Sequence, residues 1–243
     1  MSGSAVDVLE AGLLRLCDGD ADAAGALRPR LGVVLDGLER YVAEIEAFNR
    51  AYGLVSYRER DELIIRHVLD SLAPLGVVVR ALRESAAGAR GEAADVGSGA
   101  GFPGIPLALA LGDVHWTLIE RMGRRADFLR YVAALLALKN VSIEQCSVEA
   151  AAAAAGAGGG RFDVVAFRAF RPLSPQLVKT LFGLARERGV LAAYKGKAER
   201  IRRECAAVEC VVGGCRVIPC PVPFLDEERH LLVMNKPASV CAR

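Results

Sequence analysis

Histidine is scarce in this 243-residue chain, with three in all, one tryptophan and an aromatic share of 6%. So few imidazoles leave little room for a nucleophile–base relay, and no such arrangement is discernible. No apolar run approaches the ~20 residues that a membrane helix needs; alanine inflates the hydrophobic share of 53%. Met1 to Asp22 carries acids and lacks a basic stretch before an apolar one, so it does not read as a secretory signal. Cys241-Ala242-Arg243 is no prenylation box. A cytoplasmic protein is therefore the expectation, with no membrane partner. A large charge of one sign is also missing, since 31 basic residues face 29 acidic ones for a net +2. That balance permits a nucleic-acid partner without demanding one. The length suits one large domain, or a core with a helical attachment, and a monomer is the default.

The seven cysteines are an odd number, which fits a reducing compartment better than a disulfide framework. Cys205, Cys210, Cys215 and Cys220 recur every five residues. Zinc ligands come in tighter pairs, and five-residue steps alternate faces along a strand, so buried reduced thiols are expected rather than a metal site.

The first part of the chain reads as helices. From Leu31 the apolar positions Val34, Leu35, Leu38, Tyr41, Val42, Ile45, Phe48 and Tyr52 keep helical spacing up to Gly53. Ser56 and Glu59 suggest a capping box for the next helix, whose apolar stripe includes Leu63, Val68 and Leu72. Arg66, His67 and Asp70 form its charged edge, with Arg66 and Asp70 one turn apart and able to pair. After a polar stretch, Arg83 to Glu92, strands and helices alternate. Strands are expected at Ala93–Val96, Val114–Ile119, Val141–Cys146, Phe162–Phe167 and Gly189–Tyr194, with two more at Val208–Ile218 and Leu231–Asn235. Helices fall at Pro103–Leu111, Arg124–Leu138 and Gln176–Glu187, and Ala150 to Gly160 reads as a weak helix and a loop. The expected fold is α/β: a mostly parallel, seven-stranded Rossmann-like sheet with helices on both faces (86–243) and an N-terminal helical extension (1–85).

Asp95-Val96-Gly97-Ser98-Gly99-Ala100-Gly101-Phe102-Pro103-Gly104 follows a strand and opens a helix. Gly97, Gly99 and Gly101 allow a sharp turn and close approach to a ligand, and the helix-start amides can receive an anionic group. Gly99, Gly101 and Gly104 even satisfy a dinucleotide pattern. Glu120, ending the next strand, could hold ribose hydroxyls of either cofactor class. Asp95 separates the two. An acid there opposes a phosphate but suits the ammonium of an amino-acid ligand, which S-adenosylmethionine has. Ser147-Val148-Glu149, after the third strand, is placed to hold an adenine.

Four segments resemble the family of ribosomal RNA small subunit methyltransferase G, also called glucose-inhibited division protein B. They are Phe48 to Ser56 with Arg66 to Leu72; Asp95 to Pro106; Phe162 to Phe170; and Tyr194-Lys195-Gly196-Lys197 with Glu228-Arg229-His230-Leu231. The resemblance spans about Phe48 to Met234. It departs at Gly53, Val55 and Phe167, and in the length of the Ala150–Gly160 run. It implies N7-methylation of one guanine in 16S rRNA of the small ribosomal subunit, with S-adenosylmethionine as cofactor. It places cofactor contacts on Gly97, Phe102, Val148, Glu149 and Arg168, with Glu120 on the ribose.

Guanine N7 has a free lone pair and no proton, so the reaction needs alignment of N7, methyl carbon and sulfur at about 3–3.5 Å rather than a general base. N7 and O6 are acceptors suited to Arg or Lys. Arg168 and Lys195, after the fourth and fifth strands, are the catalytic candidates: Arg168 for positioning cofactor or base, Lys195 for O6 or phosphate. Two basic groups, Arg121/Arg124/Arg125/Arg130 and Lys195/Lys197/Arg200/Arg202/Arg203, could meet RNA phosphates, although solvated helix faces explain them nearly as well. His67 and His230 are read as structural. The competing readings are a methyltransferase for a protein or metabolite, a nicotinamide-dependent oxidoreductase, and a non-catalytic RNA-binding factor.

Overall fold

A computed structural model describes residues 7–86, 91–156 and 160–237. Helices α1 (Val8–Gly19), α2 (Ala21–Leu27) and α3 (Leu31–Tyr52) come first. Asp7 and Asp20 cap the first two through their side chains, and Gly53 ends α3 in the left-handed region, φ 56°. α4 (Arg60–Leu63), a π-helical stretch (Ile64–Leu69), α5 (Asp70–Leu72) and α6 (Leu75–Ala86) complete the extension.

Strands β1 (Glu92–Val96), β2 (His115–Ile119), β3 (Val141–Glu144), β4 (Phe162–Arg168), β5 (Ala185–Lys195), β6 (Gly214–Pro219) and β7 (His230–Asn235) form one sheet in the order β3-β2-β1-β4-β5-β7-β6. The first five run parallel, and β7 inserts antiparallel between β5 and β6. Between them lie α7 (Gly104–Ala110), α8 (Gly123–Leu135), α9 (Val148–Ala155), α10 (Pro175–Leu184) and α11 (Ala198–Val208). The strands' near-continuous apolar runs are those of a sheet buried on both faces. One face packs Val164, Ala166 and Trp116 against Val34, Leu38, Leu72 and Val78 of the extension and Ile105 of α7. The other packs Val165, Phe167 and Leu191 under Leu177, Leu181 and Ile201 of α10 and α11. The extension thus supplies part of one helical layer of the α/β fold and shares its core.

The register explains where the sequence reading slips. β5 begins at Ala185, because Ala185 pairs with Phe162 before a bulge shifts the register to Val164↔Val190; the expected helix to Glu187 therefore stops at Leu184. The expected strand from Val208 starts only at Gly214, since Val208 and Val211 are buried at the end of α11 and in the one-turn helix after it. α11 itself is an unforeseen helix, although its Glu199–Arg203 and Arg200–Glu204 ion pairs are the i,i+4 signature. Ser56 and Glu59 form no capping box: Glu59 is the N-cap and its side chain caps nothing. The cysteine series is not uniformly buried. β6 is an edge strand with an exposed face, so Cys215 is exposed, as is Cys210, Cys205 is half-buried and only Cys220 is buried. Burial pushes the Cys205 and Cys220 thiols up to about 11. Residues 157–159 of the Ala150–Gly160 run, 87–90 of the polar stretch, Cys241-Ala242-Arg243 and Met1 to Val6 lie outside the described residues. No helix of the described residues is long and apolar enough to cross a membrane.

Two buried tyrosines fasten the extension to the sheet. Tyr41 Oη donates to Ala100 O at 2.7 Å, and Tyr194 Oη donates to Ser71 O at 2.9 Å. Burial raises both phenols well above their ordinary value, so both remain donors. Tyr41→Phe would leave the Ala100 carbonyl buried without its donor. It is expected to lower the unfolding free energy by about 1–2 kcal/mol, seen as a lower denaturant midpoint at unchanged slope.

Candidate active site

The site lies at the carboxyl ends of the parallel strands, where such sheets bind ligands. The turn after β1 folds tightly on itself. Gly97 (φ 72°) and Gly99 (φ 60°) take left-handed conformations that a side chain rarely adopts. The amides of Gly97 and Ser98 donate to Ile119 O, those of Gly101 and Phe102 to Ser98 O, and that of Ile105 to Gly101 O. Two more are taken by carboxylates: Gly99 N donates to Glu120 Oε2 at 2.9 Å, and Gly104 N to Asp95 Oδ2 at 3.0 Å. The expectation that helix-start amides receive an external anion is therefore corrected. Asp95 already caps that end from within, and α7, at seven residues, is a short helix.

Asp95 is completely buried and its Oδ1 has no hydrogen-bond partner. Burial pushes the carboxyl up to about 7, against the lowering effect of the Gly104 amide and the Ser98 hydroxyl. Glu120 is 4% exposed, and its second oxygen accepts from Met122 N at 2.8 Å.

Beside the turn opens a crevice of about 320 Å³. Gly97, Glu120, Val148 and Glu149 line it, together with Arg121, Arg125, Ser147, Phe170 and Arg171. Glu149 pairs with Arg171 at 2.7 Å, which holds its carboxyl below the usual range. A second pocket of about 330 Å³ shares Ala169, Phe170 and Arg171 with the crevice and adds Lys195, Lys197, Arg200 and Glu204. Ala169, on the wall common to both, holds φ at 47°, a strained choice for a residue with a Cβ. The sequence reading missed Ala169, Phe170, Arg171 and Glu204. The Arg-Ala-Phe-Arg run after β4 was the available signal.

The other expected site residues stand elsewhere. A Cβ on Gly101 would meet Tyr41 Oη at 2.9 Å, so that glycine admits the extension. Phe102 is buried, its ring centroid 5.2 Å from Tyr41 and 5.3 Å from His67. Arg168 lies over the same ring, 5.0 Å from its centroid. It donates to Asp70 Oδ2 at 2.9 Å and faces His67 Nδ1 at 3.1 Å. Burial and the Arg168 charge push His67 down to about 4, so its neutral Nδ1 accepts from Arg168 while Nε2 faces Ser56 O at 3.3 Å. Asp70 Oδ1 takes Arg229 Nε at 3.2 Å. Asp70 is thus a buried anion between two arginines and no part of a solvated edge. The expected Arg66–Asp70 pair does not form, because Arg66 pairs with Glu62 and Glu227 instead. Lys195 pairs with Glu204 at 2.5 Å in the second pocket. Of the basic groups, Arg130, Arg200 and Arg203 are ion-paired, whereas Arg121, Arg124 and Arg125 have no ion pair among the described residues. No group of three or more metal-ligating side chains occurs among the described residues.

The sheet order with its antiparallel β7, and a crevice over the first three strands, define a Rossmann-like methyltransferase fold. Solved structures agree. The human methyltransferase 10 domain containing protein superposes with a TM-score of 0.54 at 12% identity, covering 82% of this chain and 96% of that one. A Corynebacterium glutamicum protein does so with a TM-score of 0.53 at 15% identity, covering 82% and 90%. By sequence, residues 35–232 match the GidB family, rRNA small subunit methyltransferase G. The chain is 36% identical over 233 residues to ribosomal RNA small subunit methyltransferase G of Cupriavidus necator, covering 94% of this chain and 96% of the relative. It is 35% identical over 223 residues to that of Treponema denticola, covering 82% and 85%. The chain belongs to the rRNA small subunit methyltransferase G family.

The buried Asp95 gives the turn a signature in pH. A carboxyl raised in the folded chain favours folding fully below its ordinary value of 3.8, and that contribution is lost as pH rises through about 7. Asp95→Asn should flatten this dependence, gaining on the wild type between pH 4 and 8 by an amount on the order of a few kcal/mol. Parallel denaturation profiles for the two proteins would rule out the perturbed carboxyl.

Proposed function

We propose that the chain methylates N7 of one guanine in 16S rRNA, in the free RNA or the small ribosomal subunit, with S-adenosylmethionine as methyl donor. The observation that carries this reading is the turn after β1. Seven of its amides from Gly97 to Ile105 are satisfied from within, two of them by carboxylates, beside a crevice that adjoins a second, basic pocket. A pyrophosphate needs free amides and would face Glu120, which lines the crevice. The nicotinamide reading is therefore disfavoured, and the residues present suit a cofactor with a cationic amino-acid end. Gly97 allows close backbone approach, Glu120 suits ribose hydroxyls, and Val148 and Glu149 suit the adenine. Arg121, Arg125 and Arg171 suit the carboxylate. Asp95, Gly99, Gly101 and Phe102 shape the turn from behind. When bound, the cofactor supplies an electrophilic methyl group. The chain's task is to hold the acceptor nitrogen against it and to exclude water; N7 has no proton for a base to remove.

Lys195 is the residue offered to the base, through O6. Arg168 is a positioning residue: its contacts to Asp70, His67 and Phe102 tie the end of β4 to both the extension and the turn. Arg124, exposed and without an ion pair among the described residues, suits RNA phosphates.

The test incubates the protein and labelled cofactor with small subunits and rRNA that lack the modification, then maps label by cleavage at N7-methylguanine. One labelled guanine is the expected result; label in protein or metabolites alone would replace RNA as the substrate. In the same assay Arg168→Ala should lower kcat/KM by at least about tenfold, a charged hydrogen-bond network's worth, with cofactor affinity less affected. Unchanged kcat/KM would remove its role. Arg124→Ala should reduce the slope of log K against log salt for RNA binding by about one.

A further inference from the structure

The second pocket contains an acid that a phosphate site would not want. Glu204, from α11, is buried to 13% exposure on its side chain and lines the pocket beside Lys195, itself 16% exposed. Its Oε2 lies 2.5 Å from Lys195 Nζ as an ion pair and is buried with no hydrogen bond; a carboxylate oxygen has more than one lone pair to offer. Its Oε1 takes Arg200 Nε at 3.2 Å. A cationic donor and a carboxylate acceptor thus stand side by side on one wall. Phe170 and Ala169 stand on the wall shared with the cofactor crevice.

We propose that Glu204 is the residue that recognises the target base as guanine, accepting from N1–H and the 2-amino group while Lys195 donates to O6. The inference rests on the guanine-N7 reading above and assigns it a specificity-determining side chain. Along its Watson–Crick edge guanine presents an acceptor followed by two donors. The Lys195–Glu204 pair offers a donor followed by an acceptor, which is the complementary order. Adenine presents a donor where Lys195 needs an acceptor and a bare nitrogen where Glu204 needs a donor. It would satisfy neither group and would set its own donor against Lys195, whereas guanine matches both, and a site built to hydrogen-bond its substrate rejects an analogue that lacks the matching groups. The geometry of the base agrees. N7 lies on the edge opposite N1 and N2, so a base held by Glu204 at the far wall turns N7 toward the shared wall and the crevice beyond. Enzymes that modify a base commonly take it into such a pocket and read this edge, with an aromatic ring alongside; Phe170 supplies one.

The experiment uses 16S rRNA joined by splinted ligation, with inosine in place of the labelled guanine, assayed with wild type, Glu204→Gln and Glu204→Ala. Inosine keeps N7, O6 and N1–H and lacks only the 2-amino group. Wild type should lose about tenfold to a hundredfold in kcat/KM on inosine, the worth of a hydrogen bond to a charged group. Glu204→Ala should lose a comparable factor on guanine and show a guanine-to-inosine ratio near one, with Glu204→Gln between. Any intrinsic change in N7 reactivity affects all three proteins alike and cancels in the cycle. Cofactor affinity by calorimetry reports whether each variant is folded; should Glu204→Ala not fold, the wild-type ratio decides alone. Equal rates on the two RNAs with wild type, or an undiminished ratio in folded Glu204→Ala, would overturn the assignment of Glu204 while leaving N7 methylation intact. No N7 label with wild type on guanine RNA would overturn the underlying reading itself.

Discussion

The ion cluster at Asp70 is the constraint on which the rest of the site depends. One buried carboxylate faces Arg168 from the end of β4 and Arg229 from just before β7. Three segments far apart in sequence meet there. A buried carboxylate is stable only if its partners stay in place, so its burial fixes both arginines against the extension. Through Arg168 the constraint passes to the Phe102 ring, and through that ring to the turn after β1. Neutral His67 completes the arrangement, since a protonated ring would face the guanidinium with like charge. The extension therefore braces the elements that carry the site, although it lines neither pocket.

The turn follows a second logic. Its glycines make room, but for different neighbours: Gly101 for the Tyr41 hydroxyl, Gly97 for the Phe170 ring. Its amides close on carboxylates from β1 and from the end of β2. The cofactor crevice is thus acidic at the turn and basic at its outer rim, where Arg121 and Arg125 stand. That polarity matches a ligand with a cationic end better than a phosphate.

Much of this was legible in the sequence because it depends on local chemistry. The alternation of strands and helices gave the α/β class, and five strands fell within a few residues of their observed bounds. Gly97, Glu120, Val148 and Glu149 could be placed on one crevice because each follows a strand of the same sheet. What could not be read depends on partners distant in the chain. Asp70 looked like a surface acid because its own helix carries Arg66 one turn away, whereas its arginines lie about a hundred and a hundred and sixty residues on. Phe102 was a cofactor contact by family resemblance alone, and its ring packs against Tyr41 and His67 of the extension. Glu204 lies in a charged segment whose sequence suits a solvated helix face, and only the fold brings it against Lys195.

The insertion of β7 carries a consequence for how the protein is made. Among the described residues β6 pairs with no strand other than β7, and β7 is the last strand of the sheet in chain order. As synthesis proceeds from the N-terminus, the extension and β1 to β5 can assemble while β6 waits with both edges open. The final strand must then enter between two elements already made. It arrives next to Arg229, so the same event that seals the sheet delivers the second arginine to Asp70. Closure of the sheet and completion of the Asp70 ion cluster are thus one step of assembly.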